Sequence, residues 1–199
     1  MKSIPRLGVL ALLSFAQLVS ATTVIPPTFN ELVDEAQIVF LGEVAATRPR
    51  WADEPLGRAI ITDVTFRVED VFKGDAPSHV VLQFLGGSID GYEFRVSDMT
   101  EFAIGDRDVL FLESRDQRPS PLVGMNYGRF TVMRDGMRGL DIIADLDGEP
   151  LVSLQQIGAP EPDRGAQVTT PVGLPMTLGS FARAIRARVQ ASAAERRPQ

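Results

Sequence analysis

The stretch IITDVTFRVEDVFKG (residues 60–74) decides the class of fold. One set of alternate positions is mostly apolar and consists of Ile60, Thr62, Val64, Phe66 and Val68. A period of two sustained over this length is typical of a β-strand with one buried face. The period slips at residues 69–70, because Val71 is apolar again, and a β-bulge there would restore the inward face.

Further extended runs lie on both sides of this strand. Three Asp-Gly pairs, at residues 90–91, 135–136 and 147–148, predict tight hairpins between them. Strands at this spacing, with glycines and a bulge in the longer ones, are typical of a small closed or nearly closed barrel. The sequence therefore predicts a mainly β fold, a small OB-like antiparallel β-barrel over residues 22–157, with a helix before it and another after it.

The first helix is predicted by a capping box, in which Thr28 is followed by Glu31. Apolar residues then recur at helical spacing, at Phe29, Leu32, Val33 and Ala36. Residues 158–177 are rich in Pro, Gly and charge and predict a linker. Residues 178–199 predict an amphipathic helix and tail, with an apolar stripe of Leu178, Phe181, Ile185 and Val189. We expect this helix to pack on the barrel; the alternative is weak contact of its arginines with an anionic membrane surface.

The amino terminus predicts export. Lys2 and Arg6 precede an apolar stretch that is short for a membrane span, and small residues end at Ala21, so residues 1–21 are interpreted as a signal peptide. The chain has no cysteine, which excludes disulfides and a thiol nucleophile. The abundance of Arg over Lys suggests a bacterial source, and we expect a periplasmic or extracellular location.

Charge argues against nucleic acid as a partner. Residues 22–177 carry 13 basic and 25 acidic groups, a net charge of −12, whereas residues 178–199 carry five Arg and one Glu, a net charge of +4. An acidic body repels phosphates, and export removes most opportunity to meet them.

The stretch IGDRDVLFL (residues 104–112) places Asp106, Arg107 and Asp108 before an apolar run. Residues 109–112 are apolar on both faces, which predicts a central buried strand. We interpret the three charges as the solvated end of that strand. The competing hypothesis is a hydrolase that uses the carboxylates of Glu101, Asp106 or Asp108, which would need two carboxyls with separated pKa values.

Five segments in order carry a resemblance: PPTFNELVDEA, IVFLGEV, VEDVFKG, FAIGDRDVLFL and GRFTV. Over residues 23–135 the chain resembles uncharacterised exported bacterial proteins with an OB-like barrel similar to netrin-module and tissue-inhibitor-of-metalloproteinase (TIMP) domains. The resemblance implies that fold, and an aromatic residue at position 108, where this chain has Asp. It also implies an alternative function, a secreted metalloprotease inhibitor whose mature amino terminus, here Thr22, approaches the zinc.

Catalytic and metal-binding patterns are sparse in this sequence. His79 is the single histidine, so a zinc site of ordinary type is not predicted, and neither a nucleophile elbow nor a phosphate-binding glycine loop occurs. Acidic residues cluster around Gly148 without the full spacing of a calcium loop; they are Asp141, Asp145, Asp147 and Glu149. We predict neither an enzyme, a cofactor nor a metal site. Gly86 and Gly87 predict a turn, with close approach of a ligand as the alternative.

Two segments are candidate contact loops. Residues 47–58 hold Arg48, Arg50 and the chain's only tryptophan, Trp51, and residues 124–128 hold Met125, Asn126 and Tyr127. Loops in these positions border the usual binding face of an OB-like barrel. Aromatic residues beside arginine are typical of contact surfaces. The sequence predicts a module that binds a protein or cell-envelope partner through Arg50, Trp51, Met125, Asn126 and Tyr127; the alternative is that Trp51 plugs one end of the barrel.

Overall fold

The structure is a computed structural model that describes residues 26–54, 57–96, 99, 101–114, 120–159 and 173–195. The predicted signal peptide and Thr22 lie outside these residues, as does most of the predicted linker.

Helix α1 (Phe29–Glu35) begins with the predicted capping box. The Thr28 amide donates to a Glu31 carboxylate oxygen at 2.7 Å, and the Glu31 amide donates to the Thr28 hydroxyl at 3.4 Å. The pKa of Glu31 is lowered by the hydrogen bond from the Thr28 backbone. The apolar face of the helix is buried, which confirms the sequence prediction for this element.

The described residues form a mainly β fold. The strands are β1 (Ile38–Glu54), β2 (Gly57–Lys73), β3 (His79–Leu85), β4 (Gly87–Ile89), β5 (Tyr92–Phe94), β6 (Arg107–Leu112), β7 (Arg129–Asp135) and β8 (Leu140–Ala144). Six of them pair antiparallel in the order β3-β2-β1-β6-β7-β8, and β4 and β5 form a separate hairpin. A 3-10 turn (Leu154–Gln156) follows β8. Strands β3 and β8 are the edges of the described sheet, which is not closed by a pairing between them.

Bulges in β1 and β2 set which side chains share a face. Leu41 pairs with Asp70 and Gly42 with Val68, so Glu69 is left without a partner in the register, and the predicted bulge is confirmed. Val71 thereby returns to the face of Val68, as the sequence requires. A second irregularity leaves Ala45 unpaired between Val44 and Ala46.

The sheet separates two hydrophobic cores. The interior core lies on one face and contains Ile38, Phe40, Val44, Val64, Phe66, Leu82, Phe84, Leu110, Leu112 and Leu122. The helix-side core lies on the opposite face and includes Leu32, Val39, Leu41, Val109, Phe111, Phe130, Ile143, Phe181 and Ile185. Strands β1 and β6 supply alternate residues to both cores, which explains why they are apolar on both faces.

The interpretation of residues 106–108 as a solvated strand end is wrong for Asp108. Its side chain is fully buried, whereas those of Asp106 and Arg107 are about one third exposed. Asp108 pairs with Gly42 on one side and with Thr131 on the other, so both neighbouring strands cover it. These partners are distant along the chain, which is why the local pattern indicated exposure.

The three Asp-Gly pairs differ in outcome. Asp90 and Gly91 form a two-residue turn between β4 and β5, with φ of 54° and 78°. The second prediction is wrong in detail, because β7 runs through Asp135 and the loop to β8 spans four residues, 136–139. At the third pair the Gly148 amide donates to the Asp145 carbonyl at 3.2 Å, which makes a reverse turn.

Helix α2 (Leu178–Glu195) packs against the body, as predicted. Phe181 and Ile185 are fully buried among the helix-side core. Arg188 forms an ion pair with Asp34 of α1, and Arg186 forms one with Asp70 at 2.8 Å. Two of the three arginines within α2 are therefore engaged with the body of the protein, which reduces what the helix can offer to a membrane surface.

The residues just before α2 belong to the sheet rather than to a linker. Ile143 donates its amide to the Met176 carbonyl at 3.0 Å, and Met176 donates to the Leu151 carbonyl at 2.6 Å. Thr177 forms a bridge with Ile142. These bonds cover part of the outer edge of β8, which would otherwise expose unpaired backbone groups.

The Asp34–Arg188 pair predicts how stability responds to acid. The hydrogen bond from Arg188 lowers the pKa of Asp34 below its ordinary value of 3.8. Because the folded-state pKa is depressed, this contribution to stability is present above pH ~4 and is lost as pH falls through the folded-state pKa. Asp34→Asn should therefore lower the thermal unfolding midpoint at pH 7, and its difference from wild type should shrink on acidification toward pH ~2.

The matched control for this prediction is Asp90→Asn, which changes an exposed carboxylate in the β4–β5 turn. Its midpoint should stay close to wild type at every pH. A difference for Asp34→Asn that does not change with pH would contradict a charge-based role for the pair.

Candidate binding site

Residues 47–54 and 57–58 belong to a two-stranded arm and not to the loop expected from the sequence. The outer halves of β1 and β2 pair with one another from Thr47↔Val64 to Glu54↔Gly57, beyond the part of β1 that pairs with β6. The sequence did not predict this strand because Pro49 and the polar residues around it hide the alternation of apolar and polar positions. The pairing with β2 is what makes these residues a strand.

The two faces of the arm differ in chemistry. Successive side chains of a strand point to opposite faces, so Thr47, Pro49 and Trp51 share one face. Their cross-strand partners on that face are Val64, Thr62 and Ile60. Arg50 lies on the other face, where its Nε donates to Asp63 at 3.1 Å. The structure therefore separates Arg50 from Trp51, although the two are adjacent in sequence.

The β4–β5 hairpin folds over the face of the arm that carries Trp51. The turn into it depends on Gly86 and Gly87, whose φ values of 114° and 134° are unfavourable for other residues. A Cβ atom at Gly87 would collide with the Thr62 hydroxyl, which itself donates to the Gly86 carbonyl at 2.7 Å. The glycine pair thus makes both the predicted turn and a close approach between hairpin and arm.

A cavity of about 320 Å³ lies between the arm, the hairpin and the end of the interior core. Its apolar wall includes Pro49, Val64, Phe84, Phe94, Met99 and Phe102. The Phe84 and Phe102 rings form a tilted pair with centroids 4.6 Å apart. Both glycines line the cavity, so the hypothesis of ligand approach and the turn hypothesis are compatible at this position.

Charged residues line one side of the cavity. Arg95 forms an ion pair with Glu93 and lies 3.7 Å from a carboxylate oxygen of Glu101. The hydrogen bond to Glu93 raises the pKa of Arg95. All three side chains are more than half exposed, so the ion pairs are weak and can exchange partners with a charged ligand.

An aromatic cluster borders the cavity. The Trp51 ring meets Tyr92 edge to face, with centroids 5.6 Å apart, and the Arg58 guanidinium lies 4.4 Å above the Trp51 ring. Tyr92 is 65% exposed, so the cluster remains open to a partner. The sequence identified Trp51 but missed Tyr92 and Arg58; the alternation of residues along β2, had the arm been recognised, would have found Arg58.

The second predicted contact loop lies elsewhere. Tyr127 packs against the helix-side core, and Gly124 lies against Pro27 at the start of α1. Met125 is 56% exposed with a φ of 65°, and the Asn126 amide donates to the Gly124 carbonyl at 2.9 Å. Tyr127 thus lies against the helix-side core whereas Trp51 lies against Tyr92 of β5, so the two predicted segments do not form one site.

Arg129 contacts all three residues of the hydrolase hypothesis, Asp106 and Asp108 through their carboxylates and Glu101 through its backbone carbonyl. Its guanidinium donates to Asp108 at 2.8 Å, to Asp106 at 3.2 Å and to the Glu101 carbonyl at 2.7 Å. Burial raises the pKa of Asp108, partly offset by Arg129 and by the hydroxyl of Thr131. A carboxyl with a raised pKa is one of the two groups that acid–base chemistry needs, but Asp108 does not line the cavity.

The acidic residues near Gly148 have structural roles. Asp141 accepts hydrogen bonds from Arg107 and Arg134, which lower its pKa, and Asp145 accepts from the amides of residues 147 and 149. No group of three or more His, Asp or Glu residues within the described ranges is arranged to hold a metal ion. His79 lies on β3, with its Nδ1 atom 3.3 Å from the Ser78 hydroxyl.

Comparisons of the chain with protein-family models, with curated proteins and with solved structures give no match. None of the helices in the described residues has the length and apolar character needed to cross a membrane.

Proposed function

We propose that this chain is an exported, non-enzymatic binding module, and that its contact surface is the Trp51 cluster together with the adjoining cavity. The observation that carries the proposal is the open edge-to-face pair of Trp51 and Tyr92, with Arg58 stacked on the Trp51 ring, next to a cavity that has one apolar wall and one charged side. Aromatic and arginine side chains beside a pocket are the groups that dominate binding energy at protein interfaces. The partner is a protein or a component of the cell envelope.

An OB-like barrel as the scaffold is part of the same proposal. The Ser120 amide donates to the Gln83 carbonyl of β3 at 2.8 Å, and Leu122 forms a bridge with Leu112 of β6. This short segment bonds to both β3 and β6, which supports the proposal that these strands form a ring with β1 and β2 around the interior core. Such a ring supports the netrin-like and TIMP-like resemblance, and the cavity then lies at one end of the barrel.

The proposal predicts that removing the aromatic pair abolishes partner capture. Trp51→Ala with Tyr92→Ala should reduce recovery of a partner from envelope extracts by at least about tenfold, because truncated interface aromatics commonly cost more than 1–2 kcal/mol each. The measurement is a pull-down with wild type and variant at equal concentration, quantified by mass spectrometry.

Tyr127→Ala is the matched control, since it removes an aromatic ring from the helix side of the molecule. Its capture should equal that of wild type. Equal recovery by the Trp51/Tyr92 variant, with an unchanged thermal midpoint, would remove the arm from the proposed contact surface.

A further inference from the structure

The free edge of strand β5 runs along the cavity. Within the described residues β5 pairs only with β4, and all three of its residues are exposed. In an antiparallel pair, alternate residues turn their amide and carbonyl groups away from the partner strand. The outer edge of β5 can therefore accept a further strand, and two of its residues, Glu93 and Phe94, also line the cavity.

The size of the cavity suits one side chain. A volume of about 320 Å³ lies at the lower end of the range for sites that enclose a small ligand, roughly 300–1,000 Å³. The tilted Phe84 and Phe102 rings offer both faces and edges to an incoming ring, which is the geometry that aromatic pairs favour. An aromatic side chain is of a size to occupy such a space and can pack against its apolar wall.

The charge around the cavity favours a basic ligand. Among the described residues of the rim and the neighbouring hairpins, the exposed carboxylates are Asp53, Asp90, Glu93 and Glu101 and the exposed guanidinium groups are Arg48, Arg58 and Arg95, four against three. Residues 22–177 as a whole carry a net charge of −12. A ligand with positive charges beside its aromatic group is attracted by both the local and the overall field.

We propose that the cavity and the β5 edge together bind an extended basic peptide segment, which adds a strand to β5, inserts one aromatic side chain into the cavity and places its flanking basic side chains against Glu93 and Glu101. This inference rests on the proposed binding function and specifies its ligand. The peptide backbone supplies affinity through strand addition, and the cavity and the rim carboxylates supply selectivity.

Trp51 is the only tryptophan and lies at the rim, so its fluorescence reports on the site. The probe is the synthetic hexapeptide acetyl-Thr-Lys-Phe-Lys-Thr-Lys-amide, titrated into the full mature chain. We expect saturable binding that weakens about thirtyfold or more when the peptide phenylalanine is replaced by alanine. Replacing the peptide lysines by glutamate should abolish the signal.

Protein variants test the two parts of the site separately. Thr47→Phe fills the cavity from the arm and should abolish peptide binding, whereas Val81→Phe adds the same ring at an exposed position of β3 and should not change it. Glu93→Gln and Glu101→Gln should each weaken binding roughly two- to fivefold, with Glu149→Gln, outside the cavity, as the unchanged control.

Three outcomes would overturn the inference. The first is an affinity that does not change when the peptide phenylalanine is replaced by alanine, and the second is peptide binding that persists in Thr47→Phe. The third is an affinity for free phenethylamine equal to that for the peptide, which would exclude strand addition. If partner capture still depends on Trp51 and Tyr92 while no peptide binds, this inference fails and the proposed function stands. Capture that is independent of both aromatics refutes the proposed function itself.

Discussion

Replacing Arg129 by methionine should lower the free energy of unfolding by about 3–5 kcal/mol, because it leaves the buried Asp108 carboxylate without its cationic partner. Asp108 is fully buried and Arg129 is only 11% exposed, so water cannot take over the lost interaction. One carboxylate oxygen, Oδ2 of Asp108, already lacks a hydrogen-bond partner among the described residues. The measurement is urea denaturation at pH 7, compared with Arg134→Met, which removes a guanidinium that is 66% exposed and should cost less than about 1 kcal/mol.

The double variant Asp108→Leu with Arg129→Met should be more stable than Arg129→Met alone. Exchanging both members of a buried pair for apolar residues removes the unpaired charge as well as the pair. A single variant that costs less than about 1 kcal/mol, or a double variant that is less stable than the single one, would contradict a buried ion pair at this position.

The cost of Arg129→Met should also depend on pH. Burial raises the pKa of Asp108, and loss of the nearby cation raises that pKa further in the variant. A carboxyl with a raised folded-state pKa binds more protons when folded, so its effect on stability becomes less favourable as pH rises through the range between the unfolded and folded values. The deficit relative to wild type should therefore be smaller at pH ~5 than at pH ~8, and contributions from Asp34 and Asp141, common to both proteins, cancel in the difference.

Phe181→Ala should destabilise the protein by about 3–5 kcal/mol, because the ring is fully buried where α2 meets the body. Its centroid lies 5.8 Å from that of Phe29, 6.2 Å from that of Phe111 and 5.1 Å from that of Phe130. The substitution leaves a cavity among three aromatic rings that belong to three different elements. The midpoint of urea denaturation should fall without a change in slope.

Leu174→Ala is the control, since Leu174 is 74% exposed and its truncation should change stability by no more than about 0.5 kcal/mol. A cost below about 1 kcal/mol for Phe181→Ala would show that α2 does not pack in solution, and would restore the membrane-surface hypothesis for this helix.

Elements with strong local signals could be predicted from the sequence. The capping box at Thr28, the bulge at Glu69, the two-residue turn at residues 90–91 and the packed carboxy-terminal helix each depend on neighbours within a few positions. The run of four apolar residues in β6 likewise predicted that both faces of this strand are buried.

The rest depended on partners that are distant in the chain. Asp108 is buried because Gly42, Arg129 and Thr131 cover it, and nothing in residues 104–112 indicates them. The cavity exists because the β4–β5 hairpin folds back over β1 and β2. The sequence therefore identified only Trp51 of the proposed contact site. Arg58 comes near Trp51 through the pairing of β1 with β2, and Tyr92 comes near it because the β4–β5 hairpin folds back.

The unpaired Ala45 changes which face of the sheet the later residues of β1 occupy, because side chains along a strand alternate between the two faces. Upstream of it the residues facing the interior have even numbers, and downstream they have odd numbers. If Ala45 instead took a place in the register and paired with Thr65, Arg48 and Arg50 would face the cavity and Trp51 would lie on the opposite side. Deletion of Ala45 would therefore leave Trp51 on its present face, because only the bulged residue is lost, whereas loss of the bulge with every residue kept would exchange an aromatic rim for a cationic one.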